Sequence, residues 1–283
     1  EGMDKVYMGL NILSILLILF SNDYLSLYLN IELFTFTSYM LFISKGINKS
    51  NKKMLNKEVI YYILMNVFSS AVIIWGIINY YSSYGALDMH HSVILGLNPY
   101  LSLGLLIKVG SFPFYSWVAG LYSHTRNLTT LYMLLVPKIP LFYLLALFNS
   151  PLTTVSLIGS LLVGALLGLK ERRVKRILAY SSIGTVGLLL ALVNNPISLH
   201  LYLLGYIFSS YALFKLLGKF NYLTNVKELT LSKNTKVLLF IPVLSLIGLP
   251  PFSGFIGKIL VLQENLNQYF IVGIRFIIKF NSL

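Results

Sequence analysis

The chain has 283 residues, of which 57% are hydrophobic and only 11% charged. Soluble domains carry about 25% charged residues, so a soluble enzyme is excluded, because such a surface would not stay dispersed in water. The absence of Cys rules out disulfides, thiolate iron–sulfur ligation and a cysteine nucleophile, and the basic excess (22 Lys and Arg over 9 Asp and Glu) lies in short clusters between apolar runs rather than on a nucleic-acid face.

A bilayer core takes about 20 residues of helix. The apolar runs predict an all-α polytopic membrane protein with about ten spans, at 5–21, 24–44, 59–80, 98–122, 128–148, 151–169, 174–194, 197–218, 237–262 and 267–282. They are too long for strands and lack period-two alternation. No basic leader with a small-residue cleavage site precedes the first span, so no signal peptide is expected.

Basic residues mark every second connection. Lys45, Lys49, Lys52, Lys53 and Lys57 fall between spans two and three, and Arg126 between four and five. Lys170, Arg172, Arg173, Lys175 and Arg176 follow span six, and Lys219, Lys227, Lys233 and Lys236 follow span eight. The alternate connections hold no Lys or Arg. This positive-inside pattern supports ten spans with the N-terminus on the inner side.

The sequence also repeats. Gly110-Ser111-Phe112-Pro113-Phe114 matches Gly248-Leu249-Pro250-Pro251-Phe252 at an offset of 138 residues, about half the chain. The halves, 1–150 and 151–283, would each hold five spans. An odd number turns the second copy upside down, the inverted-repeat plan in which interrupted helices meet near the midplane. Pro113 and Pro250 each remove a backbone donor, and the freed carbonyls are tolerable only beside protein or water. Two matched breaks favour a transport site over a plain kink.

Four charges lie inside apolar spans: Glu32, Lys108, Lys138 and Lys258. An ionised group at the bilayer centre costs roughly 2.5–3.5 kcal/mol even on the lenient insertion scale. Lys258 could snorkel to the interface; Lys108 and Lys138 are further from an edge. Together the four predict a polar interior line. A desolvated lysine sheds its proton more readily, and a nearby carboxylate reverses that. A lysine beside a movable Glu32 could load and release a proton without metal or cofactor; the other reading is a static buried ion pair.

Weaker signals surround these. Asp23 reads as interfacial, and His200 as packing or relay. Asn66, Ser69, Ser70, Ser181, Ser182, Ser209 and Ser210 can join helices by hydrogen bonds. Gly164 and Gly168 form a small-xxx-small helix-packing pattern. The adjacent His90 and His91 lack further donors for a metal site.

Several of these segments resemble one family, the antiporter-like membrane subunits of respiratory complex I, and its subunit 2 branch in particular. SNDYLSLYLNIELFTFTSYML (21–41) is similar to the family's glutamate-bearing helix, and LLIKVGSFPFYSW (105–117) to its first broken helix. LLVPKIP (134–140), VKRILAYSSIGTVG (174–187), LYLLGYIFSSYALF (201–214) and LSLIGLPPFSGFIGK (244–258) follow in the family's order. The Pro-Lys-Ile and the lysine at Lys258 favour the subunit 2 branch.

The resemblance implies a core of fourteen spans, of which those here match the fourth to thirteenth. It implies proton translocation coupled to quinone reduction in partner subunits of NADH:ubiquinone oxidoreductase. Glu32 and Lys108 would be the gating pair, Lys138 the central relay and Lys258 the exit-side group. NADH, FMN, iron–sulfur clusters and ubiquinone would sit in partner subunits, with no cofactor or metal on this chain. Partners would be the other membrane-arm subunits and lipids, with no nucleic acid, in the mitochondrial inner membrane. The richness in Ile, Asn, Lys, Phe and Tyr is compatible with an AT-rich organellar genome.

Two departures stand out. The family's Tyr-Ser-Ser-Ile-x-His segment ends here in Thr185, which removes a titratable relay. The family's acidic and Pro-Thr residues after the first broken helix are replaced by AGLYSHTRNLTT (119–130). Two rivals stay open: a cation/proton antiporter subunit without redox coupling, and a structural subunit of the same complex that does not pump.

Overall fold

The computed structural model describes residues 2–45, 52–85, 87–89, 98–125, 127–217, 238, 241–246, 255 and 257–263. These are helical apart from short connections. The helices are α1 (Gly2–Leu19), α2 (Tyr24–Lys45), α3 (Lys52–Tyr84), α4 (Pro99–Val109), α5 (Ser116–His124), α6 (Asn127–Leu135), α7 (Lys138–Leu147), α8 (Pro151–Lys170), α9 (Val174–Ala191) and α10 (Pro196–Leu217). Residues 241–246 and 257–263 are helical as well. Among the described residues no strand forms; a lone bridge pairs Asp23 with Asp88. Asp23 is exposed just before the start of α2.

Among the described residues, six helical stretches are long and apolar enough to cross a membrane: Tyr24–Ile43, Lys57–Tyr84, Thr129–Leu147, Pro151–Lys170, Val174–Ala191 and Pro196–Leu216. Val6–Leu19 and Pro99–Val109 are apolar but shorter. The last predicted span, the second break at 248–252, His90, His91, Arg126 and the lysines at 49, 219, 227, 233 and 236 lie outside the described residues.

Two boundaries differ from expectation. Lys52, Lys53 and Lys57 are helical rather than in a loop, because α3 starts at Lys52. Nothing in KKMLNKEV breaks a helix, and Lys, Met and Leu are good helix formers, so α3 runs past the apolar stretch at both ends. It stops at Gly85, whose positive φ of 70° suits a left-handed cap.

The predicted span 128–148 is two helices, α6 and α7, interrupted at Val136–Pro137. Pro137 has no N–H for the Met133 carbonyl, and Pro140 none for that of Val136. The Tyr122 hydroxyl takes up the first, donating to Met133 O at 3.2 Å. Ile139 N–H donates to the second at 3.3 Å. The freed carbonyls thus find protein partners, as a membrane interior requires.

Close contacts fix the helices. A side chain on Gly164 of α8 would meet Gly184 N and Cα of α9 at 2.7 and 2.8 Å and Tyr180 O at 2.9 Å. One on Gly187 would meet Ser160 Oγ at 2.6 Å. Gly168 makes only ordinary contact, 3.5 Å from Tyr180 Cβ. The small-residue seam is therefore Ser160 and Gly164 against Gly184 and Gly187. Elsewhere Asn11, fully buried on α1, donates to Thr37 Oγ1 at 2.8 Å and to Phe34 O at 3.1 Å, and accepts from the Tyr132 hydroxyl at 2.7 Å. That one side chain ties α1, α2 and α6 together. Ser69 does the same for α3 and α4, donating to Gly104 O at 2.7 Å.

Candidate functional site

Lys108 reaches the interior on the last turn of α4. Asn98 caps that helix and Pro99 opens it, the arrangement that satisfies first-turn donors. Gly104 lets α4 press against α3: a side chain there would strike Ile73 and lie 3.1 Å from Ser69 O. The helix ends at Gly110, at φ 76°, where Val118 and Trp117 fill the space that a Cβ would need. The break expected at 110–114 is thus observed, with α5 resuming at Ser116. Its carbonyls are capped: Ser111 Oγ donates to Leu106 O at 3.1 Å and Trp117 Nε1 to Ile107 O at 3.3 Å.

The Lys108 ammonium lies 3.3 Å from Glu32 Oε1 on α2. The two side chains differ in exposure, 2% for Lys108 and 35% for Glu32. The lysine is held dry while the carboxylate reaches a partly open rim. Thr35 also faces the carboxylate, with Oγ1 3.5 Å from Oε2.

Lys138 opens α7 immediately after the Pro137 interruption and is buried. Its Nζ donates to Thr185 Oγ1 at 3.1 Å and to Ser182 O at 3.5 Å, and lies 4.3 Å from the centroid of the Tyr206 ring. These partners are neutral. Unlike Lys108, this lysine is held by hydroxyl, carbonyl and π-face rather than by a carboxylate.

One cavity joins the two lysines. It has a volume of about 30 Å³ and is bordered by Lys108, Lys138, Thr35, Tyr62, Asn66 and Tyr122 among others. A water needs roughly 10–15 Å³ of such space and two to four polar partners, so the cavity has room and polarity for water. Asn66, expected as helix glue, lines it; its amide also donates to Tyr62 O at 2.9 Å.

Lys258 is not part of this cavity lining. It is half-buried on 257–263. That segment packs on α10: a side chain on Gly257 would run into the Tyr202 ring, and Val261 joins the core around Tyr202. Tyr202 is one helical turn from Tyr206. His200 is exposed and bonds Pro196 O of its own helix, so it stands outside the line. Ser182 contributes its carbonyl to Lys138, while Ser209 and Ser210 bond their own helix at Tyr206 O.

The residues missed from sequence are the tyrosines. Tyr62, Tyr122 and Tyr206 border the cavity or the Lys138 ammonium, but 20 tyrosines are spread along the chain and none announces itself. A second ionic group lies at the end of α5. The Glu58 carboxylate of α3 fills the space over Gly120, so this region receives an acidic group from another helix. His124 beside it is held below the ordinary histidine range, chiefly by burial. Glu58 opposes that, and Arg176, Arg173 and Lys175 reinforce it. Among the described residues no three His, Cys, Asp or Glu side chains converge as metal ligands.

The model of the NADH:quinone oxidoreductase/Mrp antiporter transmembrane family matches residues 21–281. The chain belongs to that family. It is 30% identical over 280 residues to NADH-ubiquinone oxidoreductase chain 2 of Anopheles gambiae, covering 96% of this chain and 80% of that protein. It is 30% identical over 277 residues to NADH-quinone oxidoreductase subunit N of Magnetococcus marinus, covering 84% of this chain but 56% of that one. A chain of respiratory complex I from Thermus thermophilus shares the fold, with a TM-score of 0.82 at 24% identity, over 94% of this chain and 64% of that chain. This member of the family therefore spans little more than half the length of some of its curated relatives.

Proposed function

We propose that this chain is a proton-translocating membrane-arm subunit of NADH:ubiquinone oxidoreductase, resident in the mitochondrial inner membrane beside other membrane-arm subunits and lipids. The observation that carries this reading is the water-sized cavity linking the Glu32–Lys108 pair to Lys138. Opening the pair removes the carboxylate that holds the proton on Lys108. The proton then passes through cavity water to Lys138, whose neutral surroundings make it a transient carrier. Lys258 continues the line on the exit side. NADH, FMN, iron–sulfur clusters and ubiquinone belong to partner subunits, whose reduction of quinone drives the opening of the pair.

The architecture proposed for this role is ten spans in two inverted five-helix repeats, 1–150 and 151–283. The observed break at 110–115 and the matching Gly-x-Pro-containing segment at 248–252 support it. The relatives' names favour complex I over a redox-independent cation/proton antiporter.

Native gels of mildly solubilised membranes test the assignment. Antibody against this chain is expected in a very large band that reduces dye with NADH. A smaller NADH-inactive complex whose transport follows the Na⁺ gradient would overturn the assignment in favour of the antiporter.

A further inference from the structure

The bases that follow α8 are not equivalent. Arg176 is paired with Glu171 at 3.3 Å, and Lys175 turns inward to donate to Thr125 O. Lys170, Arg172 and Arg173 are exposed, and among the described residues none of the three has an ion-pair partner. Glu58, the other carboxylate near this end, lies over Gly120 beside His124.

These three cations stand at the end of an apolar stripe. α8 is the most exposed of the six helical stretches that could cross a membrane, and its polarity is reversed from that of a soluble helix. Thr153, Ser156, Ser160 and Gly164 are its buried residues. Leu152, Val155, Ile158, Leu162, Leu166 and Leu169 are exposed, and their spacing of three and four residues puts them on one side of the helix. The 20 residues of α8 span about 30 Å, the thickness of the hydrocarbon layer. The stripe runs to Leu169, which is 86% exposed, and the cations begin at Lys170, where hydrocarbon gives way to headgroups. Helices in membranes associate through small residues, and those of α8, Ser160 and Gly164, already face α9. The stripe and its unpaired charges therefore suit a lipid better than a further helix.

We propose that the stripe and the three cations form one site for an anionic phospholipid. Arg172 and Arg173 hold its phosphodiester with Lys170 beside them, and an acyl chain lies along α8 from Leu169 toward Val155. Guanidinium forks meet phosphate oxygens two at a time. A zwitterionic headgroup brings its own ammonium and gains less from three cations, so the site selects for net negative charge. Lipid binding here needs no proton movement and stands apart from the translocation reading.

The test uses the assembled complex in bilayer discs of phosphatidylcholine carrying a trace of phosphatidylglycerol with a photoreactive acyl chain. Cross-links are mapped by mass spectrometry of peptides. Labelling is expected on residues 151–170, about tenfold above that by equally tagged phosphatidylcholine. Raising salt from about 0.05 to about 0.5 M is expected to narrow that difference, because exposed charges are screened. Lys170→Gln, Arg172→Gln and Arg173→Gln together are expected to bring phosphatidylglycerol down to the phosphatidylcholine level. Undiminished phosphatidylglycerol labelling in this variant overturns the headgroup site. Equal labelling by the two lipids in wild type overturns it too, and so does a stripe that cross-links to a neighbouring subunit and to neither lipid. Should the triple variant fail to assemble, the wild-type comparison of the two lipids and its salt dependence decide.

Discussion

Replacing Lys108 with Met is expected to leave an assembled complex whose protons moved per NADH oxidised fall by about tenfold or more. Met fills the volume of the lysine stem, so the interior around α4 keeps its packing. What disappears is the proton carrier proposed at the break. Glu32→Gln is expected to impair pumping for a different reason. It removes the carboxylate 3.3 Å from Nζ, and the dry lysine is left without the partner whose opening and closing would gate it. Because the two groups act as one unit, the double variant should be no worse than the poorer single one. Assembly is read on native gels and pumping by a pH-sensitive dye in vesicles. Additive losses would mean that the groups serve separate steps.

The second large effect is structural. Gly164→Leu is expected to cut the amount of assembled complex several-fold. The atoms in the way are Gly184 backbone at 2.7 and 2.8 Å, and backbone cannot turn aside as a flexible side chain can. Overpacking costs roughly 1–3 kcal/mol where neighbours yield; here α8 and α9 must separate. Thr185 is the residue after Gly184, so surviving protein should also show a displaced Lys138 site and weaker pumping. Gly9→Leu is the control, since nothing lies within 4 Å of that position. Equal assembly of the two variants would remove the seam from the account.

Much of this was legible because the signals were strong and local. Apolar length marked the helices around 24–44, 151–169, 174–194 and 197–218 to within a few residues, since a bilayer imposes that length. The Gly110 and Pro113 pair marked the break, and charges costly to bury marked Glu32, Lys108 and Lys138. Other features had no such local signature. The interruption before Lys138 was hidden because Pro137 and Pro140 sit in an otherwise unbroken apolar run, and the Tyr122 hydroxyl that takes up the Met133 carbonyl comes from another helix. Nothing in the residues around Asn11 signals that Thr37 and Tyr132 close in on it from two other helices. Thr185 read as a loss because sequence shows the missing imidazole and not the hydroxyl contact that Lys138 makes. Glu58 could not be connected with Gly120 from a separation of more than 60 residues. Contacts between distant helices were what sequence patterns could not supply.

The central claim is that Lys138 carries protons within a redox-driven complex. The most direct test is the ratio of protons moved to NADH oxidised, measured in sealed vesicles for wild type and Lys138→Ala at equal assembly. A clearly lower ratio in Lys138→Ala is the result expected here. An unchanged ratio would contradict the account and leave this chain as a scaffold.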